Sequence, residues 1–313
     1  MSSPLVSIII PCYNAEQYVA EAIQSALDQT YPNCEIIVID DGSTDGSLDV
    51  IKTFSDRVRW ETGPNRGGCV ARNRGLELAR GEWIQFLDAD DRITPEKIES
   101  QIQIVRKASH PNSMVGCQWR HFEGDFLGPV QDFEPCNRQI SGVDLLLQMW
   151  MRGVMFPPHC WLTLRALIDA QGGWNTALSL DQDGEFFGRM HIATDVVYFA
   201  EGAMAHYRKP GPLNVSSGMN ERAARSCLVA WDSVQRLLLE KKNDTESQRA
   251  VLRRLRAVSY RARKYPEVVQ QAHLAERRIG LRDFRLEAPV AFHLLCALVG
   301  LQSALKIRSL FRG

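Results

Sequence analysis

The chain has no excess of charge of either sign and no closely spaced pair of cysteines. Its 313 residues include 37 Lys and Arg and 37 Asp and Glu, so the net charge gives no reason to expect nucleic acid as a partner. The eight cysteines are spread along the chain without a Cys-x-x-Cys pair, which excludes the usual zinc and thioredoxin spacings. Thinly spread cysteines are typical of reduced thiols, and we expect a cytoplasmic protein.

The sequence also lacks an internal repeat, and we expect no secretory signal. Met1-Ser2-Ser3-Pro4 places no basic side chain ahead of the first apolar run, and that run is short. A length of 313 residues predicts about two domains. A composition of 45% hydrophobic and 24% charged residues is typical of a folded protein.

What the sequence does have is polar residues directly after short apolar runs. Residues 7–10 precede Pro11-Cys12-Tyr13-Asn14, residues 36–39 precede Asp40-Asp41, and residues 83–87 precede Asp88-Ala89-Asp90-Asp91. Short apolar runs that alternate with helical patterns predict the parallel strands of an α/β sheet. Ligands of such sheets bind beyond the carboxyl ends of the strands, so several carboxylates are expected in one crevice.

A cluster of carboxylates is costly unless some are protonated or a cation lies among them. A divalent metal that holds an anionic ligand, such as a nucleoside diphosphate, is the hypothesis that this pattern favours.

Helical patterns separate the strands. Residues 15–29 carry an apolar stripe, and Asn14 with Gln17 resembles a capping box. Gly67-Gly68 opens a second helix that Gly81 is expected to cap. Further helices are predicted from Thr94-Pro95 to about residue 107, near residues 142–151, and from the acid-first string that begins at Asp181.

From about residue 220 the sequence reads as helix, which predicts a first domain at 1–215 and a helical C-terminal region at 216–313. Residues 249–285 carry eleven Lys and Arg against three Asp and Glu. Residues 290–307 are mostly apolar, but His293, Gln302 and Lys306 favour an interfacial helix over a membrane span. The alternative is a helix that packs on the first domain or on a second subunit.

Five strings resemble the family 2 glycosyltransferases, which have an inverting mechanism and a GT-A nucleotide-binding fold. The resemblance covers about residues 5–211, and its strings begin at Val6, Ile39, Ala71, Phe86 and Asp183. It implies a GT-A domain with a mostly parallel central sheet, and transfer of a sugar from a nucleotide-sugar donor to an acceptor hydroxyl. The metal implied is Mn²⁺ or Mg²⁺.

The resemblance also assigns roles to individual residues. Asp183 aligns with the general base, and Asp88 and Asp90 with the Asp-x-Asp motif, in which Asp90 binds the metal and Asp88 touches the donor or the metal. The donor residues implied are Pro11, Tyr13, Asn14, Asp40, Asp41, Arg72 and Arg208. Acceptor contacts are expected from Trp161, Trp174, Gln182 and Glu185.

Each role has a plainer alternative. Asp40 and Asp41 could begin a turn, Asp183 could serve only as a charge at a helix N-terminus, and Arg72 could be a surface residue. Tyr13 could pack under its loop. Trp161 and Trp174 could belong to the core, where aromatic residues are more often found, and Glu185 could be an exposed helix residue.

Two departures from the family pattern affect the expected site, one at the acceptor and base and one at a third metal ligand. Gln182 stands where the family commonly has Glu, and Pro210 stands where many members have a histidine. The Gln-x-x-Arg-Trp signature of processive synthases is missing, which favours addition of single sugars. A glycan or a lipid-linked glycan is expected as the acceptor, the latter at the cytoplasmic face of the membrane.

Two other functions are alternatives to a glycosyltransferase. A nucleotidyltransferase would show a Gly-rich basic phosphate loop after the first strand, and Pro11-Cys12-Tyr13-Asn14 is not one. A non-catalytic sugar-nucleotide-binding subunit would not need the set Asp88, Asp90 and Asp183.

Overall fold

The structure is a computed structural model that describes residues 3–108, 110, 112–131, 133–137, 139–209 and 219–279. Within these residues, nine strands form a single sheet against which helices pack. The α/β fold predicted from the sequence is confirmed. The chain from residue 221 to residue 279 is helical, as expected.

The sheet is mixed, with its longest pairings parallel. Its order is β3-β2-β1-β4-β8-β6-β9-β5, and β7 pairs with β6. The strands are β1 (Val6–Cys12), β2 (Cys34–Asp40), β3 (Arg59–Thr62), β4 (Trp83–Phe86), β5 (Arg92–Ile93), β6 (Ser113–Glu123), β7 (Phe126–Val130), β8 (Leu162–Leu164) and β9 (Val196–Arg208). The pairs β1–β2, β1–β4, β2–β3 and β6–β9 are parallel.

Ten helices complete the described part of the chain. They are α1 (Val19–Leu27), α2 (Ser47–Lys52), α3 (Gly68–Leu78), α4 (Lys97–Val105), α5 (Gly142–Arg152), α6 (Arg165–Gln171), α7 (Gln182–Ala193), α8 (Glu221–Lys241), α9 (Thr245–Arg261) and α10 (Pro266–Ile279). Short 3₁₀ turns lie at Glu134–Asn137 and Pro158–Cys160.

The β1 strand lies at the centre of the parallel half because its isoleucines are buried on both faces of the sheet. Ile8, Ile9 and Ile10 are fully buried between β2 and β4. A continuous apolar run, in place of an alternating one, is what a strand covered on both faces requires.

The predicted capping box at Asn14 is wrong. Asn14 adopts a left-handed conformation with φ of 48°, and its side-chain oxygen accepts a hydrogen bond from the Thr44 amide at 2.8 Å. Helix α1 begins at Val19, and no side chain caps it. Asn14 therefore joins the loop after β1 to the loop after β2.

The predicted helix cap at Gly81 is also wrong. Helix α3 ends at Leu78, and its cap residue Ala79 is extended. Gly81 instead approaches β1, where its amide donates to Ser7 Oγ at 2.8 Å. A Cβ at Gly81 would lie 2.6 Å from the Ser7 nitrogen and 2.9 Å from the Leu5 carbonyl oxygen.

The C-terminal helices pack on the sheet-containing part through α5 and α7. The core of this contact includes Trp150, Trp231 and Leu255. The boundary between residues 215 and 216 stays a prediction, and the basic and apolar segment from residue 280 onward lies outside the described residues. Among the residues the structure describes, none forms a helix that is long and apolar enough to cross a bilayer.

Gly81→Ala is expected to lower the free energy of unfolding by roughly 1–3 kcal/mol, because the added methyl group meets backbone atoms that cannot rotate away. Urea unfolding measures the change. Gly63→Ala is the matched control, since a Cβ at Gly63 meets no atom within 4 Å. Equal stability of the two variants would contradict the close approach of Gly81 to β1.

Candidate functional site

The carboxyl ends of β1, β2 and β4 meet at one edge of the sheet, because β1 pairs with both neighbours in parallel. Tyr13 follows β1 directly, Asp40 is the last residue of β2, and Asp88 lies two residues beyond β4. These polar residues therefore lie at the carboxyl edge of the sheet, as the sequence predicts.

Arg72 is the cation of this edge. It lies on α3, and its guanidinium donates to Asp88 Oδ1 at 2.6 Å and to Gln182 Oε1 at 3.3 Å. Both charged side chains are largely shielded from solvent. Arg72 therefore joins the loop after β4 to the start of α7. The two residues that it contacts, Asp88 and Gln182, are 94 positions apart in the sequence.

Trp174 supports Arg72 from below. The Arg72 guanidinium carbon lies 4.6 Å from the centre of the Trp174 ring. Phe186 stacks on Trp174, with the two ring centres 4.2 Å apart. Asn73 fixes the loop, since it accepts from the Trp174 amide and donates to the Trp174 carbonyl.

Neither tryptophan offers a face to an acceptor sugar. Trp174 is 3% exposed and Trp161 is 1% exposed, and Trp161 packs edge-on against His191 and near Phe187 and Phe199. The interpretation of these residues as a sugar platform is corrected by their burial. Both belong to the core, as the alternative reading of the sequence allowed.

Asp90 lies in an environment that disfavours its charge. Burial and the neighbouring charge of Asp88 raise the pKa of Asp90, and Arg208 and Arg72 oppose the rise only in part. No described side chain donates a hydrogen bond to the Asp90 carboxylate. A cation bound next to Asp90 would relieve this cost.

Asp91 and His159 form a buried pair beneath the same turn. His159 Nδ1 lies 3.2 Å from Asp91 Oδ2, and both side chains are fully buried. Burial lowers the pKa of His159 to about 3, and burial together with Asp90 and Asp88 raises the pKa of Asp91 well above its usual range. Burial therefore disfavours the charged form of both side chains.

Arg208 fastens the turn from the side of β9. Its side chain donates to the Asp90 carbonyl oxygen at 2.6 Å and pairs with Glu21, while its backbone amide donates to Asp91 Oδ1 at 2.7 Å. Its guanidinium also lies over the rings of Tyr18 and Phe122. The contacts of Arg208 thus hold the backbone on which Asp90 stands.

Asp183 lies in the first turn of α7. Burial and the charge of Asp181 raise the pKa of Asp183, with Asp88 adding to the rise, while the Gly184 amide and Arg72 oppose it. Gln182, which precedes Asp183, is the residue that contacts Arg72. The structure thus brings Asp183, Asp88 and Arg72 within electrostatic reach of one another.

The turn before Asp183 depends on residues that the sequence did not indicate. Asp181 is left-handed with φ of 58°, and its carboxylate accepts from the Trp231 indole nitrogen at 2.8 Å. Ser226 Oγ accepts from the Ser179 and Leu180 amides. Trp231 and Ser226 both lie on α8, more than 40 positions away, so no local spacing could have found them.

Glu185 does not face a crevice. It is 2% exposed and forms a two-point ion pair with Arg189 at 2.8 and 2.9 Å. Arg189 in turn donates to the carbonyl oxygens of Gln171, Gly172 and Gly173. Glu185 therefore has a structural role. The predicted acceptor contact is wrong, and so is the alternative of an exposed helix residue.

The acids after β2 already hold hydrogen bonds. Asp40 accepts from Thr62 Oγ1 at 2.6 Å, and the two oxygens of Asp41 accept from the Arg66 and Gly67 amides at 2.8 Å each. These bonds shape the loop that leads into α3. Pro11 lies within β1. Tyr13, which follows the strand, is 49% exposed, so a ligand can contact its side chain.

The donor set of the edge fits a divalent metal that shares its ligands with phosphate. Among the described residues, no group of three or more His, Cys, Asp and Glu side chains is spaced to hold a metal alone. Mg²⁺ and Mn²⁺ commonly need only one or two carboxylates when phosphate oxygens complete the shell. Asp90, with a raised pKa and no side-chain donor, meets that requirement together with Asp88.

Comparison with known proteins agrees with this geometry. The family model described as Glycosyl transferase family 2 matches residues 7–171, just over half of the chain. The matched segment contains β1, the two acidic strand ends and Arg72.

Curated relatives carry the same kind of name. An uncharacterized glycosyltransferase of Haemophilus influenzae is 47% identical over 109 residues, which is 34% of this chain and 44% of that protein. The putative teichuronic acid biosynthesis glycosyltransferase TuaG of Bacillus subtilis is 39% identical over 117 residues, which is 36% of this chain and 46% of that protein. The chain spans less than half the length of these relatives.

Two solved structures share the fold. The S. aureus TarS fragment 1–349 in complex with UDP-GlcNAc superposes with a TM-score of 0.62 at 18% identity, covering 82% of this chain and 81% of that one. The mannosyltransferase PcManGT from Pyrobaculum calidifontis, in complex with GDP-Man and Mn²⁺, gives a TM-score of 0.54 at 18% identity, covering 88% and 80%.

Glu185→Gln is expected to lower the free energy of unfolding by about 3–5 kcal/mol, because it leaves the Arg189 guanidinium buried without its counter-charge. Urea unfolding at neutral pH measures the loss. Glu77→Gln is the control, since Glu77 pairs with Arg74 on the surface and such pairs contribute at most about 1 kcal/mol. A small effect at Glu185 would show that its carboxylate is solvated.

Proposed function

Because the chain belongs to glycosyltransferase family 2, we propose that it transfers a sugar from a nucleoside-diphosphate sugar to an acceptor hydroxyl, with inversion at the anomeric carbon. The observation that carries the proposal is the grouping of Asp183, Asp88 and Arg72 at the carboxyl edge of the parallel strands. In this set Asp183 can serve the acceptor, and Asp88 and Arg72 can serve the donor.

The donor diphosphate belongs beside Asp88 and Asp90. These two carboxylates would hold Mn²⁺ or Mg²⁺, which when bound supplies positive charge to the diphosphate as it leaves. Arg208 holds the backbone of Asp90 through its carbonyl oxygen, so we assign it to the support of this site. Arg72 keeps Asp88 oriented and adds a fixed positive charge.

The nucleoside belongs beyond β1 and β2. Tyr13 is the exposed aromatic side chain there, and we propose that it meets the nucleobase. Pro11 and Asn14 shape its loop, since Asn14 binds the loop after β2. Asp40 and Asp41 would act through the loop that they fix, with Asp40 nearer the end of the strand.

Asp183 is assigned the proton transfer. Its carboxylate takes the proton of the acceptor hydroxyl while the acceptor oxygen bonds to the anomeric carbon and the bond from that carbon to the diphosphate oxygen breaks. A base must be ionised yet basic, and burial and Asp181 raise the pKa of Asp183 in the useful direction. One carboxylate suffices, because a single displacement forms no covalent sugar–protein intermediate.

The proposed donor is a UDP-sugar, and the proposed acceptor is a glycan or a lipid-linked glycan. TarS was solved with UDP-GlcNAc, which supports uridine, whereas PcManGT was solved with GDP-Man. TuaG is named for teichuronic acid biosynthesis, which supports a polysaccharide pathway. Contact with the membrane surface would serve a lipid-linked acceptor.

Asp183→Asn is expected to lower the turnover of the accepted donor by about 10²–10⁴-fold while donor affinity stays near wild type, because only proton transfer is lost. Release of nucleoside diphosphate, measured over a panel of UDP-, GDP- and dTDP-sugars, gives the rate. In the wild type the rate should fall as pH falls through a pKa above the ordinary aspartate range. Unchanged turnover in Asp183→Asn would remove Asp183 from the role of base.

Asp90→Ala is expected to abolish the dependence of donor binding on Mn²⁺, because it removes a carboxylate whose charge is disfavoured by burial and by Asp88 unless a cation lies beside it. Calorimetric titration of UDP with Mn²⁺ and with chelator measures this. Asp49→Asn is the control, since Asp49 is exposed on α2 and its partner among the described residues is Lys52. Metal-dependent binding that survives in Asp90→Ala would place the metal elsewhere.

A further inference from the structure

Asp181 has a backbone conformation that its side chain and neighbours must maintain. A non-glycine residue at φ of 58° costs energy relative to the common regions. The residue is also the N-cap position of α7, so its conformation sets where the first turn of the helix points. Asp183 stands in that first turn.

Helix α8 of the C-terminal region forms hydrogen bonds with this turn. The Trp231 indole nitrogen donates to Asp181 Oδ2 at 2.8 Å, and Ser226 Oγ donates to the Leu180 carbonyl at 2.8 Å as it accepts from the preceding amides. The helices touch closely, because a Cβ at Gly184 would lie 3.0 Å from the Trp231 ring. Trp231 itself is 3% exposed.

Helix α9 adds a buried charge behind Trp231. The Arg254 guanidinium carbon lies 3.7 Å from the centre of the Trp231 ring, and Arg254 Nε is buried without a hydrogen-bond partner. Arg254 interacts electrostatically with Asp181 and with Asp183. The positive charge of Arg254 is therefore attracted to both carboxylates.

We propose that Trp231 and Arg254 are positioning residues, which hold Asp183 through Asp181 and make helices α8 and α9 part of the active site. The proposal rests on the assignment of Asp183 as the base. It implies that the segment matched by the family model, which ends at residue 171, does not contain the whole catalytic apparatus of this chain.

Several charges act on Asp183, and each predicts a direction for its pKa. Asp181 raises it and Arg254 lowers it. The other groups that face Asp183 are Asp88, Arg72, Cys69 and Tyr207. Because none of these four lies on α8 or α9, a change in Arg254 isolates the contribution of the C-terminal helices.

The positioning role is tested with Trp231→Phe, which keeps an aromatic ring and removes the indole N–H. The expected result is a fall of kcat by about 10-fold or more for hydrolysis of the accepted UDP-sugar, with donor KM within about 2-fold of wild type, since a displaced base slows the chemistry and not donor binding. Trp150→Phe is the control, because Trp150 packs on Trp231 at 5.2 Å in the same cluster. Trp150→Phe should retain kcat.

The charge role is tested by pH–rate profiles of kcat/KM. Asp181→Asn keeps an oxygen for the Trp231 N–H and tolerates the left-handed conformation, so it should move the acid limb to lower pH by about one unit. Arg254→Gln should move the limb to higher pH. Opposite shifts of the two variants are a signature that general loss of folding cannot produce.

The outcomes separate this proposal from the proposed function. If the wild type turns over a donor and Asp183→Asn does not, the function and its base stand. A normal kcat in Trp231→Phe, equal losses in Trp231→Phe and Trp150→Phe, or unchanged acid limbs in both charge variants would then overturn the positioning role alone. If the wild type turns over no donor of the panel, the function itself fails first.

Discussion

The ion pair of Arg72 with Asp88 is the constraint on which the rest of the site depends. A guanidinium that is shielded from water must keep its carboxylate, and removing one partner of such a pair is strongly destabilising. Arg72 reaches Asp88 after β4 and Gln182 at the start of α7, and it lies on the face of Trp174. One side chain on α3 therefore links the loop after β4 to the start of α7. Burial keeps the pKa values of Asp90 and Asp183 raised, and Arg72 opposes the rise only in part.

The sheet was predictable because its information is local. Residues 7–10, 36–39 and 83–87 are apolar over the length of a buried strand, and the acids that follow each run mark the carboxyl edge without knowledge of any distant contact. The start of α7 could also be predicted, since an acid-first string at the start of a helix is visible in sequence. Helix α5 begins at Gly142 as expected, with Ser141 as its cap.

The parts that sequence could not supply depend on packing between distant segments. Trp161, Trp174 and Glu185 have the residue types of a sugar site, yet neighbours from β9, α3 and α7 enclose them. Gly81 has the residue type of a helix cap, but the approach of β1 is what requires it to lack a side chain. The left-handed Asp181 and its contact with Trp231 join positions 50 residues apart. Such contacts fix the conformation of the folded chain, but they produce no periodic pattern in the sequence.

We propose that one edge of the sheet binds a nucleoside diphosphate between Arg72 and the Asp88–Asp90 turn. Crystals of the chain grown with UDP and Mn²⁺, with the metal located by its anomalous scattering, test this binding mode. We expect a metal peak against the Asp90 carboxylate, with the diphosphate next to it and the base near Tyr13. A metal or nucleotide bound at another part of the sheet, with the Arg72–Asp88 pair undisturbed and solvent at Asp90, would contradict it.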